Sequence, residues 1–296
     1  MKTRIISGCV LGAIVLGILL AGFFISPLFI TVFVAVLGAF GGYELVHNAA
    51  GVEKSFSFAS SAFCALLIVA LDKTIDSFLN KKVLISALDG GGHISSPFLY
   101  KMCELWNYAP YVLTVVYFLF SVIVILCRHG DFSLDKIAVF SAMPFFVAYS
   151  FSMLERIISG NDGVYYLLML FTFSSVCDMG AYFVGVSCGK HKLCPEISPK
   201  KTVEGAVGGV LTSLIFVLII LICFKKFDKL AVSLLLTVPF CIIGMCGDLF
   251  ASVIKRAVGI KDYGNLIPGH GGILDRFDSI LLIAPVLYIF ADSGVL

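Results

Sequence analysis

The feature that most constrains this chain is a series of long apolar runs separated by short polar segments. An α-helix rises 1.5 Å per residue, so about 20 apolar residues cross the roughly 30 Å hydrocarbon core of a bilayer. With 59% hydrophobic and 14% charged residues, the 296-residue chain is too apolar for a soluble domain. We therefore expect an all-α, polytopic membrane protein with about nine transmembrane helices in one bundle. The runs fall at about residues 5–25, 27–46, 56–71, 108–127, 137–153, 163–187, 203–224, 230–250 and 277–293.

The segment 72–107 is the one long polar stretch in the first half of the sequence, and it sets the expected domain boundary. We expect residues 1–107 to form N-terminal transmembrane helices with an extracytoplasmic segment. Residues 108–296 would form a C-terminal transmembrane region that holds any catalytic site. The Asp-Gly-Gly-Gly-His sequence at 89–93 lacks the Gly-Lys-Ser/Thr of a phosphate loop, so a flexible outer loop is favoured and its role stays open.

The charge distribution predicts an orientation and excludes one class of partner. If the N-terminus is cytosolic, most of the 21 Lys and Arg residues fall in cytosolic segments, as the positive-inside rule requires. The N-terminus and the two polar loops after residue 180 would then face the cytosol, in a multi-pass protein of the inner cell membrane. The net charge of only +2 provides no basic field for nucleic acid, and we expect no nucleic-acid partner.

The cysteines favour packing over a metal centre. Most of the ten lie inside apolar runs, where cysteine behaves as a small hydrophobic residue. Cys188, His191 and Cys194 are close in sequence, but they lack the spacing and the second ligand pair that are typical of zinc sites.

The densest polar segment, residues 247–278, predicts a cation site. A helix that continues past the eighth apolar run places Asp248 and Lys255 on one face, and Asp275 and Asp278 share a face where the ninth run opens. Three carboxylates brought together at the membrane surface are costly without a compensating cation, and hard oxygen ligands favour Mg²⁺. We therefore predict Asp248, Asp275 and Asp278 as metal ligands.

Ordinary ion pairing is the alternative for these carboxylates. Asp248 and Asp275 could pair with Lys255 and Arg276, and Asp275 would also gain from the dipole of the helix that follows. For any single aspartate this interpretation is favoured. The aspartates together with the neighbouring glycines favour a site.

Two further features break the apolar pattern. The stretch 268–272 has no side-chain bulk except His270, so backbone N–H groups could approach an anion there; substrate contact by His270 and a plain loop hydrogen bond are equally open. Asp178 lies inside an apolar run, where an unpaired carboxylate is expensive and marks either a site or a buried ion pair.

A polar segment directly before the seventh run suits phosphate oxygens. It supplies hydroxyl and ammonium groups at a helix start, although a lysine pair that follows the positive-inside rule would look similar. These groups belong to Ser198, Lys200, Lys201 and Thr202. The glycines that follow, Gly205, Gly208 and Gly209, are expected to permit close helix packing rather than chemistry.

The polar motifs resemble those of a known family. Residues 252–278 read S-x-I-K-R-x4-K-D-x-G-x2-I-P-x-H-G-G-I-x-D-R-F-D, which is similar to the signature of phosphatidate cytidylyltransferases, also called CDP-diacylglycerol synthases. The elements D-x-G-A-Y at 178–182, G-K-H-K-L at 189–193 and S-P-K-K-T-x-E-G at 198–205 are also similar. The resemblance covers roughly the last 120 residues and is specific there, whereas the N-terminal runs share only hydropathy and order.

The resemblance implies transfer of CMP from CTP to phosphatidic acid, with Mg²⁺ required and the number of ions left open. Members are multi-span enzymes known as dimers, so a homodimer is expected in the bilayer. Asp248, Asp275 and Asp278 would form the metal centre, and Lys255 would join them as a catalytic residue. The residues expected to contact substrate are Asp178, Ser198, Lys200, Lys201, Thr202, Arg256, Lys261, Asp262, His270 and Arg276.

Two other functions stay open at this point. A CTP-dependent lipid alcohol kinase would need similar metal and phosphate groups and would differ in its products. A transporter could use Asp178 and Asp248 as intramembrane ion ligands. The polar residues are concentrated at one side of the membrane and not at the bilayer midplane, which argues against a transporter.

Overall fold

The computed structural model divides the chain into two compact units, one that ends at Ser159 and one that begins at Gly160. This division concerns compactness alone, so the functional boundary expected at residue 107 stays a prediction. The structure describes residues 17–18, 20–22, 26–72, 106, 108–128, 133–160, 162–266 and 271–296.

Four long helices build the described part of the first unit. They are α1 (Leu28–Glu44, extended by a π-helical turn over Leu45–Ala49), α2 (Lys54–Leu71), α3 (Ala109–Cys127) and α4 (Leu134–Ser159). Aromatic side chains fill the space between them: Phe63 stacks on Tyr117 with ring centroids 4.1 Å apart. The Tyr117 hydroxyl donates to the Phe140 carbonyl at 2.8 Å, so this buried phenol is satisfied.

The second unit adds a small hairpin to its helices. Its elements are α5 (Gly163–Phe171), a π-helical turn (Thr172–Val176), α6 (Cys177–Cys188), β1 (Lys192–Cys194), β2 (Ser198–Thr202), α7 (Val203–Phe224), a 3₁₀ turn (Phe227–Lys229), α8 (Leu230–Ala257) and α9 (Leu274–Asp292). The strands pair antiparallel, with Lys192 opposite Thr202 and Cys194 opposite Ser198.

The helices confirm an all-α polytopic membrane protein, but the count of nine spans is not confirmed. Seven helical segments in the described ranges are long and apolar enough to cross a bilayer. The run at 5–25 lies largely outside the described residues. Helix α9 forms where the ninth run was expected, but it opens with Asp275, Arg276 and Asp278 and is not among the seven.

The glycines of α7 allow it to pack directly on α6, as the sequence predicts. A Cβ atom on Gly209 would lie 2.6 Å from the Cys177 carbonyl oxygen, and one on Gly208 would lie 2.4 Å from Cβ of Val184. A Cβ on Gly205 would meet another backbone carbonyl oxygen at 2.6 Å. Any larger side chain would therefore force the two helices apart.

The hairpin between α6 and α7 was not expected from the sequence. Its second strand, Ser-Pro-Lys-Lys-Thr, has neither an apolar alternation nor the length of an ordinary strand. Its end is fixed by the helix that follows, because Thr202 Oγ1 accepts the Gly205 N–H at 3.1 Å and caps α7. The Val203 N–H donates to the His191 carbonyl at 2.9 Å, which ties the start of the hairpin to the same helix end.

Candidate active site

A cavity of about 540 Å³ lies among α6, the hairpin, α7 and α8. This volume is in the usual range for small-molecule sites. Its wall is apolar along the helices, with Ala181, Val186 and Met245, and polar where the hairpin meets them. The predicted site residues that line it are Asp178, Ser198, Lys200, Lys201, Thr202 and Asp248.

The π-helical turn before α6 helps to deliver Asp178 to this cavity. Such a turn changes the direction in which the following side chains project, and it interrupts the regular helical hydrogen bonds. Ser213 of α7 donates to the Thr172 carbonyl oxygen at 3.2 Å and thereby satisfies a backbone group inside the interruption. Asp178 then lies in the first turn of α6.

Lys201 connects the acidic groups of two helices. Its ammonium forms an ion pair with the Asp248 carboxylate, and both side chains are about one quarter exposed. Asp178 lies close enough to Lys201 and Asp248 to interact electrostatically with both. The hairpin therefore places one cation in the same cavity as carboxylates from α6 and α8.

Asp278, near the start of α9, adds a third carboxylate to those of Asp178 and Asp248. Its carboxyl group lies within hydrogen-bonding range of the Asp248 carboxyl group, and its Oδ1 accepts the Ser279 N–H at 2.8 Å. The close approach of α8 and α9 depends on Gly247, since a Cβ there would lie 2.8 Å from the Asp278 carbonyl oxygen. Two ionised carboxylates in contact repel each other, so a cation beside them lowers the free energy of this arrangement.

Asp275 is engaged in a different way. Its Oδ1 accepts from the Lys255 ammonium at 2.8 Å, and its Oδ2 accepts the N–H groups of Tyr263 at 2.8 Å and Gly272 at 3.0 Å. The side chain is only 4% exposed, and that of Lys255 is 12% exposed. Burial raises the pKa of the Tyr263 phenol, and this neutral hydroxyl donates to the Ala251 carbonyl at 3.1 Å. Asp275 thus fastens the polar segment after α8 to the start of α9.

Glu204, in the first turn of α7, holds the start of the hairpin. Its carboxylate accepts the N–H of Lys190 at 3.1 Å and that of His191 at 3.2 Å. It also contacts His191 Nδ1 at 2.6 Å. Because α7 carries this carboxylate, the helix and the strand that bears Lys201 are held in one arrangement.

The remaining predicted residues lie elsewhere. None of them lines the cavity, and all of those described are exposed at the end of α8, in the segment after it, or at the start of α9. They are Arg256, Lys261, Asp262 and Arg276. His270 lies outside the described residues.

The oxygen donors suit a divalent cation that also binds substrate. Within the ranges that the structure describes, no group of three His, Cys, Asp or Glu side chains is arranged to hold a metal ion. Asp248 and Asp278 nevertheless form a contacting pair of hard oxygen donors. Mg²⁺ is commonly held by one or two carboxylates together with substrate phosphates and water, so this pair fits such an ion.

Sequence reasoning gave no role to several residues that the structure brings to the site. Lys192 and Tyr182 line the cavity, whereas Glu204 and Tyr263 support it through hydrogen bonds. Lys192 belongs to the Gly-Lys-His-Lys-Leu segment, and its basic residues were the available signal. Glu204 belongs to the S-P-K-K-T-x-E-G element, but its task could not be read from the sequence, because its partners are backbone groups 13 and 14 residues away.

Comparison with known proteins identifies the family to which the chain belongs. A family model described as the cytidylyltransferase family matches residues 2–293. A phosphatidate cytidylyltransferase of Staphylococcus haemolyticus is 48% identical over 130 residues, which are 44% of this chain and 50% of that protein. One from Bacillus subtilis is 39% identical over 160 residues, 54% of this chain and 60% of that protein. The chain thus spans about half the length of the curated relatives it matches.

Proposed function

We propose, because the chain belongs to the cytidylyltransferase family, that it transfers CMP from CTP to phosphatidic acid and releases pyrophosphate. The product would be CDP-diacylglycerol, a precursor in phospholipid biosynthesis. The observation that carries the proposal is the cavity in which Lys200 and Lys201 of the hairpin meet Asp178 and Asp248 of two membrane helices. This combination suits a polyanionic nucleotide beside a lipid.

The attacking group requires little activation. A phosphate monoester has a second pKa of about 6, so the head group of phosphatidic acid is largely dianionic near neutral pH. One of its oxygens would attack the α-phosphorus of CTP, and the bond from that phosphorus to the β-phosphate bridging oxygen would break. The protein's task is therefore to align two polyanions and to neutralise their charge.

The lysines of the cavity would perform much of that neutralisation. Lys200 and Lys201 lie on β2, and Lys192 faces the same cavity from β1. Lys201 contacts Asp248, so a bound phosphate group would compete with that carboxylate for its ammonium. Fixed cations aimed at oxygens that gain charge in the transition state stabilise it without reorganisation.

Asp248 and Asp278 are the residues we propose as holders of Mg²⁺. The ion, when bound, would neutralise phosphate oxygens and support the departing pyrophosphate. Metal binding by Asp275 stays a prediction. In this structure its two oxygens already accept three hydrogen bonds. Those bonds give it a positioning role, because it anchors the segment after α8.

The bilayer would deliver the lipid substrate. Asp178 and Asp248 lie in helices that are long and apolar enough to span the membrane, so a lipid phosphate at the membrane surface could reach the cavity while its acyl chains stay in hydrocarbon. The proposal includes a cytosolic opening, where CTP is available, and a homodimer as the assembled form.

Product analysis with purified full-length protein tests the proposal. With phosphatidic acid, labelled CTP and Mg²⁺, we expect equal amounts of pyrophosphate and labelled liponucleotide, and loss of both when a chelator removes the metal. Release of CDP with a phosphorylated lipid would instead identify a lipid kinase. Substrate flux in proteoliposomes without nucleotide turnover would identify a carrier.

A matched pair of variants tests the site itself. Asp248→Asn should lower the rate of CMP transfer by about 100-fold or more, because it removes one charge that balances Lys201 and one oxygen donor. Asp292→Asn, at the end of α9 away from Asp278, changes a carboxylate that accepts from the Tyr288 hydroxyl at 3.2 Å and lines no part of this cavity, and it should retain normal turnover. Equal rates in the two variants would exclude this cavity as the active site.

A further inference from the structure

A second cavity, of about 470 Å³, lies in the first unit, where the ends of four helices meet. The π-helical turn that follows α1 ends there at Ala49, α2 begins at Lys54, α3 ends at Cys127 and α4 begins close by. Its polar and aromatic lining consists of His47, Glu53, Lys54, Phe56, Arg128 and Lys136. All of these residues belong to the first unit, and the proposed reaction uses none of them.

The lining carries a surplus of positive charge. Three basic side chains face one carboxylate, that of Glu53, which pairs with Arg128 at 2.9 Å. Lys54 and Lys136 form no ion pair with any other described residue. The Lys136 ammonium lies 3.8 Å from the position that a Cβ on Gly51 would take, and Gly51 lines the same cavity.

Two contacts fix the rest of the lining in place. The Arg128 guanidinium lies 5.3 Å from the ring centroid of Phe56, in addition to its ion pair with Glu53. The His47 ring bonds to the Val52 carbonyl oxygen through Nδ1 at 3.0 Å. These contacts hold Arg128 and His47 in the wall of the cavity, which we call the basic recess, and Lys54 and Lys136 line it beside them.

The position of the recess corresponds to the depth of lipid head groups. Its residues lie at the ends of four of the candidate membrane spans, where lysine and arginine reach toward the membrane surface. An aromatic pair stands next to it: the rings of Tyr43 and Phe58 are 5.1 Å apart, and Phe58 is 62% exposed. Aromatic residues of this kind are typical of membrane interfaces.

We propose that this basic recess binds the phosphate of an anionic phospholipid head group. The recess is large enough for a phosphodiester and its polar substituent, and its two surplus cations match an anion of low charge. Free inorganic phosphate shares this chemistry, but it has no acyl chains to hold it beside exposed apolar helix faces. The inference is independent of the reaction proposed above.

Lipid binding to the purified full-length chain tests the proposal. In a neutral detergent, native mass spectrometry would compare the retention of phosphatidylglycerol with that of phosphatidylcholine. We expect Lys136→Gln to weaken phosphatidylglycerol binding about fivefold and the Lys54→Gln/Lys136→Gln double variant about 25-fold. Lys136→Arg should restore binding, and Lys225→Gln, which removes a lysine at the end of α7 in the other unit, should leave it unchanged.

The outcomes separate the two sources of phosphate. Selective retention of phosphatidylglycerol that depends on Lys136, with no competition from excess inorganic phosphate, would support the lipid site. Equal retention by the parent, Lys136→Gln and Lys225→Gln would overturn it. Binding of inorganic phosphate that depends on Lys136, without selective retention of phosphatidylglycerol, would also overturn it.

Discussion

At the scale of single residues, Asp275 differs from Asp248 and Asp278 in the partners of its carboxylate. Asp248 and Asp278 contact each other, whereas Asp275 gives both of its oxygens to Lys255 and to two backbone N–H groups. Gly271 approaches the same carboxylate with φ +86°, a conformation that glycine adopts without a steric penalty. One side chain thus determines how the segment after α8 meets α9.

Asp275→Asn should therefore act first on stability. It replaces the charged partner of a nearly buried ammonium, and a hydrogen bond to a charged group contributes about 1.5–3 kcal/mol. We expect a lower Tm in thermal unfolding and a reduced rate of CMP transfer, with an unchanged Mg²⁺ concentration for half-maximal rate. Since Lys255→Met removes the same pair from the other side, the double variant should lose much less than the sum of the two single losses.

A large rise in the Mg²⁺ requirement would contradict the positioning role. In that case Asp275 would be a metal ligand, as the resemblance implies. Fully additive losses of stability in the double-mutant cycle would show that the Lys255 contact does not operate in solution.

The sequence predicted which acidic and basic residues belong to the site better than it predicted the contacts that each of them makes. Asp178 was recognisable because a charge inside an apolar run is expensive. Asp248 was recognisable as one of several carboxylates at helix ends, and Lys201 as an ammonium group placed before a helix, where phosphate binds well. The separate engagement of Asp275 was not predictable, because its partners include backbone groups whose position depends on the loop conformation. Residue spacing gives the face of a helix, but it does not give the donors that face it.

At the scale of elements, the hairpin is the part that requires support from outside itself. Its strands have three and five residues, too few for an isolated two-stranded hairpin to be stable. Glu204 on α7 supplies part of that support through its bonds to Lys190 and His191. The position of Lys200 and Lys201 therefore depends on a side chain that does not line the candidate cavity.

Glu204→Ala should increase KM for CTP about tenfold, with a smaller change in kcat, because it loosens the strand that carries Lys200 and Lys201, the lysines that we propose bind phosphate. Limited proteolysis should cut the hairpin faster in this variant. Glu204→Gln, which keeps an acceptor oxygen, should recover part of the affinity. Glu196→Gln, an exposed position in the turn of the same hairpin, serves as the charge-matched control and should leave KM unchanged.

A loss confined to kcat would contradict this role for Glu204. It would mean that the carboxylate acts on the reacting groups and not on CTP binding. Unchanged proteolysis together with unchanged KM would show that the hairpin holds its conformation without it.

The close packing of α6 on α7 leads to a second prediction about elements, which concerns the stability of the protein. Gly209→Val should destabilise the protein by several kcal/mol, because its side chain would overlap a backbone carbonyl that cannot move by itself. Val207→Leu, on an exposed face of the same helix, should change stability by less than about 0.5 kcal/mol. Unfolding in mild detergent, followed by tryptophan fluorescence or thermal shift, measures both, and an equal effect of the two substitutions would contradict the packing argument.

The elements also show what the sequence could and could not predict. Helix positions followed from apolar length, and the α6–α7 contact followed from the spacing of Gly205, Gly208 and Gly209. The hairpin did not follow, because its stability comes from Thr202 and Glu204 at the start of α7 and not from its own pattern. The π-helical turn before Asp178 likewise depends on tertiary partners such as Ser213.

At the scale of the whole molecule, α7 fixes the relation between the site and the membrane. It has 22 residues and no charged residue after Glu204, so its length of about 33 Å matches one crossing of the hydrocarbon core. The hairpin that precedes it and the turn at Lys225–Lys229 that follows it must therefore lie on opposite sides of the bilayer. The proposed cytosolic opening of the site requires the hairpin to be on the cytosolic side.

Accessibility of single cysteines tests this topology. In an otherwise cysteine-free full-length chain that retains activity, native Cys194 in β1 should react with a membrane-impermeant thiol reagent only in inside-out vesicles. Asp228→Cys in the 3₁₀ turn should react only in right-side-out vesicles. The reversed pattern would place the lysines of the hairpin away from the cytosolic nucleotide and would contradict the proposed orientation. Reaction of both positions from one side would show that α7 does not cross the membrane, because a single spanning helix must separate its two ends.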